Sequence, residues 1–188
     1  MNTDQIIQAA LQKRCIAVSD DISEKQMDTL RTQIMMLKIM DPKREIFILI
    51  DSNGGEIFAT LKLIDFMKSM DLNFTGIVNG KCKSAALLIL ASCNKKHSLT
   101  HSVFFFHEVR VSISINTFMD LNSKFEQEKK EFGMLMDDVT KIYQNGFRIS
   151  KEKIMELMYN GYAYRTHLGA VEAKELGIID EIITSLPL

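Results

Sequence analysis

Prolines number two, cysteines three, and neither sign of charge dominates. Each scarcity removes a class of protein. With 23 basic and 24 acidic side chains the formal net charge is -1, so no field of one sign is offered to nucleic acid or to an anionic membrane surface. No apolar stretch reaches the roughly 18 residues that a membrane-crossing helix needs. The opening MNTDQIIQAALQKR lacks the charged-then-apolar pattern of a secretory signal. Cys15, Cys82 and Cys93 are odd in number and show no CxxC spacing, which points to a reduced, cytoplasmic compartment.

What is present is the material of a folded domain. With 46% hydrophobic and 25% charged residues, the chain can bury a core and is not disordered. Its 188 residues suit one domain spanning 1–188, with residues 1–13 as an N-terminal segment. No repeat, linker or low-complexity tract interrupts it. Cys15–Val18 is a short apolar run. Met27, Leu30, Ile34, Leu37 and Met40 keep a helical period over 23–40, with Ser23 as N-cap and Gln26 three residues on. Asp41-Pro42 ends that helix. EIFILID (45–51) is a continuous apolar run, as a strand covered on both faces requires. Further helices are expected over 57–70, 85–93, 117–143, 151–158 and 170–176. Further strands are expected over 73–79 and 102–106 and in the final IIDEII. Strands alternating with helices predict βαβ units and a largely parallel sheet.

Functional groups in such folds gather at the carboxyl ends of strands, and three junctions stand out. DSNGG (51–55) follows a strand, and its paired glycines permit a tight turn with an unshielded amide. It is not GxGxxG, so it does not indicate a dinucleotide site. NGKCKSAALLILASC (79–93) runs from a polar, glycine-led turn into a buried helix, with Ser84 at the junction. Ser84 is either the helix N-cap or a nucleophile, with small Ala85 and Ala86 leaving space over the hydroxyl and the Ala85 amide available to an oxyanion. FFFHEV (104–109) puts His107 at a strand end, either a structural imidazole or a general base beside a serine.

Taken in order, DSNGG, GKCKSAALLILAS, SVFFFHE and AVEAKELGIID resemble the ClpP family, the proteolytic subunits of caseinolytic protease. The family pattern runs roughly INSPGG, GxAASMxAxLLxAG, NSxxMIHQP and a segment ending EAxxxGLID. The resemblance extends over nearly the whole chain from about Arg14. It implies an α/β spiral of ββα units of the crotonase-like superfamily, with residues 117–143 as a protruding handle helix. It also implies a serine endopeptidase acting on unfolded polypeptide inside a ring-shaped homo-oligomer, two stacked heptamers, fed by an ATP-dependent unfoldase. No GxxxxGK[ST] loop occurs here, so ATP dependence would belong to that partner. Neither cofactor nor metal is implied. By the resemblance Ser84 is the nucleophile, His107 its base, and the backbone amides of Gly55 and Ala85 are the oxyanion donors.

The chain departs from the pattern at the third catalytic position. The family's Asp falls on Gly161 when aligned forward and on Arg165 when aligned backward. Asn160 is the nearest residue able to orient an imidazole, and in a serine triad Asn in place of Asp costs about 10⁴ in kcat. Asn53 stands for the family's Pro, Ala85 for its Met, and EVRVSIS for a Gly-rich segment. Two other readings therefore stand beside a weakly active peptidase. One is a catalytically inactive structural subunit; the other is a crotonase-like acyl-CoA enzyme with the same GG-type oxyanion hole. Elsewhere, His97 and His101 are four apart but span a loop leading into a strand, a poor metal site. Cys82 reads as a small buried residue rather than a thiol nucleophile.

Overall fold

The apolar run at residues 46–50 becomes the centre of a parallel sheet. The computed structural model describes residues 3–110, 124–159 and 167–186. In it β1 (Cys15–Ile22), β2 (Ile46–Gly55) and β3 (Phe74–Lys83) lie side by side and parallel. Ile46, Ile48 and Ile50 are fully buried, whereas Phe47 and Leu49 on the other face are half-buried. The expected cover on both faces is present but uneven, more complete over Ile46, Ile48 and Ile50 than over Phe47 and Leu49, and α4 (Ala85–Ala91) packs on β2 and β3.

β3 then divides the sheet. Its first half pairs with β4 (Lys95–Ser98), from Thr75 opposite Lys95 to Val78 opposite Ser98. Its second half pairs with β5 (Val103–Phe105), from Lys81 opposite Val103 to Lys83 opposite Phe105. β7 (Glu181–Ile182) lies beyond β4, and β6 (His167–Gly169) runs antiparallel to β5. All other pairings are parallel. This is the α/β architecture that strand–helix alternation predicts.

Local chemistry sets the helix ends. α1 (Thr3–Gln12) precedes β1. α2 (Glu24–Met40) begins at Ser23, whose Oγ accepts from the Gln26 amide at 3.3 Å. The Gln26 side chain completes no capping box; its Nε2 donates to the Ser19 carbonyl at 2.6 Å. Asp41, before Pro42, is extended and ends α2, because the proline ring disfavours a helical residue before it. Arg14 reinforces that end. Only 3% exposed, its guanidinium donates to the carbonyls of Leu37 (2.8 Å), Arg44 (2.7 Å), Glu45 (3.0 Å) and Asp41 (3.2 Å). These carbonyls replace the water the charge has lost.

α3 (Ile57–Ser69) follows β2, and α5 (Lys124–Gly146) is the longest helix among the described residues. The handle helix expected over 117–143 thus continues to Gly146, while residues 117–123 lie outside the described residues. None of residues 124–134 is buried; Leu135, Val139, Thr140 and Tyr143 are, where α5 meets α4. α6 (Lys151–Tyr159) and α7 (Ala170–Glu175) complete the chain. The terminal IIDEII forms strand only at Glu181–Ile182, with Ile178 and Ile179 buried in the core.

Candidate active site

The site begins at the end of β2. SNGG, expected as a turn, continues the strand: Asp21 pairs with Gly54 and Ile22 with Gly55 after a bulge at Asp20/Asp21. Ser52 holds the irregularity, donating from Oγ to the Asp20 carbonyl and accepting from the Gly54 amide at 3.1 Å. Gly54 has φ 91° and Gly55 φ 151°, conformations that L side chains rarely adopt. Space is equally restrictive. A Cβ on Gly54 would lie 2.7 Å from the Lys83 carbonyl oxygen, 2.7 Å from Ser84 Cβ and 2.9 Å from the Ala85 nitrogen. The bare backbone of Gly54 is thus what lets β2 touch the β3–α4 junction. Asp51 joins the same two strands by accepting the Lys81 amide at 2.9 Å.

GKCK, also expected as a turn, is the paired second half of β3. The chain then bends abruptly at Ser84, with φ 52° and ψ −124°. A non-glycine residue held in such a sparsely populated region costs about 1–3 kcal/mol and persists only where neighbours over-determine it. They do so here. The Ser84 amide donates to the Phe105 carbonyl at 3.0 Å. The Ser84 carbonyl accepts from the Leu87 amide at 3.0 Å and from the Tyr143 hydroxyl at 3.4 Å. Ser84 occupies the N-cap position of α4, but its side chain makes no capping hydrogen bond.

β5 leads to the imidazole, which lies two residues beyond its end. Phe104 and Phe106 are fully buried and anchor the strand, and His107 follows them half-exposed. His107 Nδ1 contacts the carbonyl of Glu108. A carbonyl only accepts, so Nδ1 donates there when it carries the proton, and in that neutral tautomer Nε2 is the acceptor. Ser84 and His107 line one cavity of about 130 Å³, together with Gly55, Ala85, Tyr143 and apolar Ile57, Leu88, Val109 and Val139. No direct hydrogen bond joins their side chains among the described residues, as is common in unliganded sites whose bonds tighten around substrate. Glu108 and Arg110 lie at the same cavity, paired at 2.6 Å. Burial pushes the Glu108 carboxyl up, but the Arg110 guanidinium, the Glu108 backbone amide and the neighbouring His107 together outweigh it and hold it below its ordinary value.

The other candidates fare differently. Asn160, with Gly161 and Arg165, lies outside the described residues. Cys82 is fully buried and burial pushes its thiol well up, so it is not an accessible thiolate. His97 belongs to β4, which the sequence hid as loop, and His101 is exposed in the turn after it. Among the described residues no group of three or more His, Cys, Asp or Glu is placed to hold a metal ion. No helix among them is long and apolar enough to cross a membrane. Tyr143 is a residue of the site that no motif in the sequence singles out. Its one signal is the four-residue spacing of Leu135, Val139 and Tyr143, a single stripe of a helix.

A hydroxyl on a strained strand-to-helix bend, with an imidazole just past the neighbouring strand opening into one cavity, is the arrangement used by serine hydrolases. The chain belongs to the Clp protease family, whose model matches residues 1–186. It is similar to the ATP-dependent Clp protease proteolytic subunit 2 of Chlamydia pneumoniae, 29% identical over 177 residues, covering 93% of this chain and 83% of the relative. The proteolytic subunit of Deinococcus radiodurans is 26% identical over 175 residues, covering 92% and 81%. Proteolytic subunit 1 of Corynebacterium jeikeium is 26% identical over 187 residues, covering 97% and 93%.

Proposed function

We propose that this ClpP-like serine endopeptidase cuts unfolded polypeptides with Ser84 as nucleophile and His107 as general base. The observation that carries the reading is that Ser84 and His107, matched to the family's motif, line one cavity. His107 Nε2 takes the Ser84 proton as Oγ attacks the peptide carbonyl. The backbone amides of Gly55 and Ala85 bind the oxyanion of the tetrahedral intermediate. The imidazolium then returns its proton to the leaving amine, and water releases the acyl-enzyme by the same route in reverse. Asn160 is the third member in this scheme: in the working state its side-chain oxygen accepts the Nδ1 proton in place of the Glu108 carbonyl. A neutral acceptor stabilises the imidazolium less than a carboxylate, so turnover is slow.

The relatives are named subunits of ATP-dependent proteases, and this chain carries no GxxxxGK[ST] loop. The reading therefore assigns ATP to a separate unfoldase and places the chain in stacked rings, two heptamers by family pattern. The unburied residues 124–134 of α5, with Met134 60% exposed, support its use as the handle between rings. A fluorophosphonate probe followed by mass spectrometry tests the chemistry, with modification at Ser84 alone as the expected result. Light scattering tests the assembly, where a species near 21.5 kDa would contradict it. An intact ring with unmodified Ser84 would instead support an inactive structural subunit.

A further inference from the structure

We propose that Tyr143 of α5 is a positioning residue that aims the Ala85 amide and sets the bend at Ser84 against the strand leading to His107. The inference rests on the assignment of Ser84 and His107 above. Tyr143 reaches both arms of the site. Its hydroxyl donates to the Ser84 carbonyl. Its ring packs on Phe106, with centroids 5.5 Å apart and planes at 59°, and Phe106 is the residue immediately before His107. Phe147, one turn on, stacks on the same ring at 5.6 Å and 14°. The residue is 3% exposed, and burial pushes its phenol well up. It therefore keeps its proton, and remains a donor, throughout the working pH range.

The geometry of one peptide unit makes this contact matter. The Ser84 carbonyl and the Ala85 amide belong to the same plane, and in a trans peptide they point in opposite directions. Among the described residues two donors hold the oxygen: the Leu87 amide at 3.0 Å and the Tyr143 hydroxyl at 3.4 Å. Gripping the oxygen therefore directs the N–H on the far side of the plane. That N–H is one of the two proposed oxyanion donors, which act only if they are aimed before charge develops. At 3.4 Å the phenol bond is long. Its contribution is to fix direction, at a bend whose φ of 52° and ψ of −124° persist only while neighbours hold them. Loss of the hydroxyl releases one of the two holds without emptying the aromatic cluster.

Tyr143→Phe tests this in the full-length protein, because it keeps the ring stack and removes only the donor. Since deletion of a whole oxyanion donor costs about 10² to 10³ in kcat, mis-aiming one should cost about tenfold. The expected result is a fall of about tenfold in kcat on a fluorogenic peptide with KM unchanged, and an equal fall in the rate at which a fluorophosphonate labels Ser84. Thr75→Val is the control. It also removes a buried hydroxyl donor, to Glu45 at 2.6 Å, but at the far end of β3, and should lower Tm while leaving kcat unchanged. Tyr143→Phe with kcat and labelling within twofold of wild type, while wild-type Ser84 is labelled, overturns the role of Tyr143 and leaves the Ser84–His107 assignment standing. Equal losses of kcat in both variants overturn it as well, because the effect would then follow stability. Failure of wild-type Ser84 to label overturns both readings together.

Discussion

Gly54→Ala should disable the site while leaving most of the fold in place. The new Cβ would lie 2.7 Å from the Lys83 oxygen and from Ser84 Cβ, against an ordinary contact distance of 3.4 Å or more. Both neighbours are fixed by backbone, so β2 and the bend at Ser84 must separate by about 0.7 Å. The alanine must also take φ 91°, which costs an L residue about 1–2 kcal/mol. A misplacement of about 1 Å costs about 100-fold in rate. A separation of about 0.7 Å should therefore lower kcat by roughly 10- to 100-fold, about 1.4–2.7 kcal/mol of transition-state stabilisation. Turnover of a fluorogenic peptide and the rate of fluorophosphonate labelling measure this, with light scattering to confirm an unchanged assembly. Gly133→Ala is the stability comparison: within this chain nothing lies within 4 Å of the place its Cβ would take on α5, so it should gain about 0.5–1 kcal/mol in stability. Gly54→Ala with kcat within twofold of wild type would refute the tight coupling of β2 to the Ser84 bend.

Three further perturbations test other parts of the structure. Arg14→Met removes the donor to four carbonyls and should cost about 1–3 kcal/mol, the usual penalty for leaving buried neutral acceptors without a donor; a shift below about 0.5 kcal/mol in urea unfolding would mean water replaces the guanidinium. Asp180 is pushed up by burial, but the Lys96 amide at 2.8 Å and the Arg148 guanidinium prevail and hold it below its ordinary value. A depressed carboxylate stabilises the fold above its unfolded pKa of about 4 and loses that contribution as pH falls through the folded value. Asp180→Asn should therefore be less stable than wild type at pH 7, with the gap closing below about pH 4; a gap constant down to pH 2 would contradict this. Asn160→Asp should raise kcat and Asn160→Ala lower it, and equal rates in all three proteins would remove Asn160 from the site.

Apolar periodicity made the frame legible in the sequence, and composition hid what completes it. Ile46, Ile48 and Ile50, or Leu30, Ile34 and Leu37, announce their elements because burial selected them. KKHS, GKCK and SNGG carry no such pattern, yet β4 and the far halves of β3 and β2 are built from them. Their pairing comes from neighbouring strand edges, which no local window contains. The meeting of Ser84 and His107 at one cavity followed from motif order. The bend at Ser84 did not, because a serine before two alanines reads equally well as a helix cap. Tyr143 is illegible in the chain because its phenol matters only through Phe106 and Ser84, remote in sequence and adjacent in space.

The division of β3 has a consequence for motion. Its first half, from Thr75 to Val78, is held between β2 and β4 in the interior of the sheet. Its second half meets β2 only past a register shift, with Cys82 opposite Ser52, and otherwise leans on β5, three residues long, which is backed by the three residues of β6. Short ladders open at a fraction of the global unfolding free energy, and amide hydrogens report such openings segment by segment. The Ile77 and Val78 amides should therefore exchange with solvent only on global unfolding. Those of residues 81–83 and 103–105 should exchange sooner and together, as one unit. The strands that lead to the candidate nucleophile and base would then breathe on a scaffold that does not.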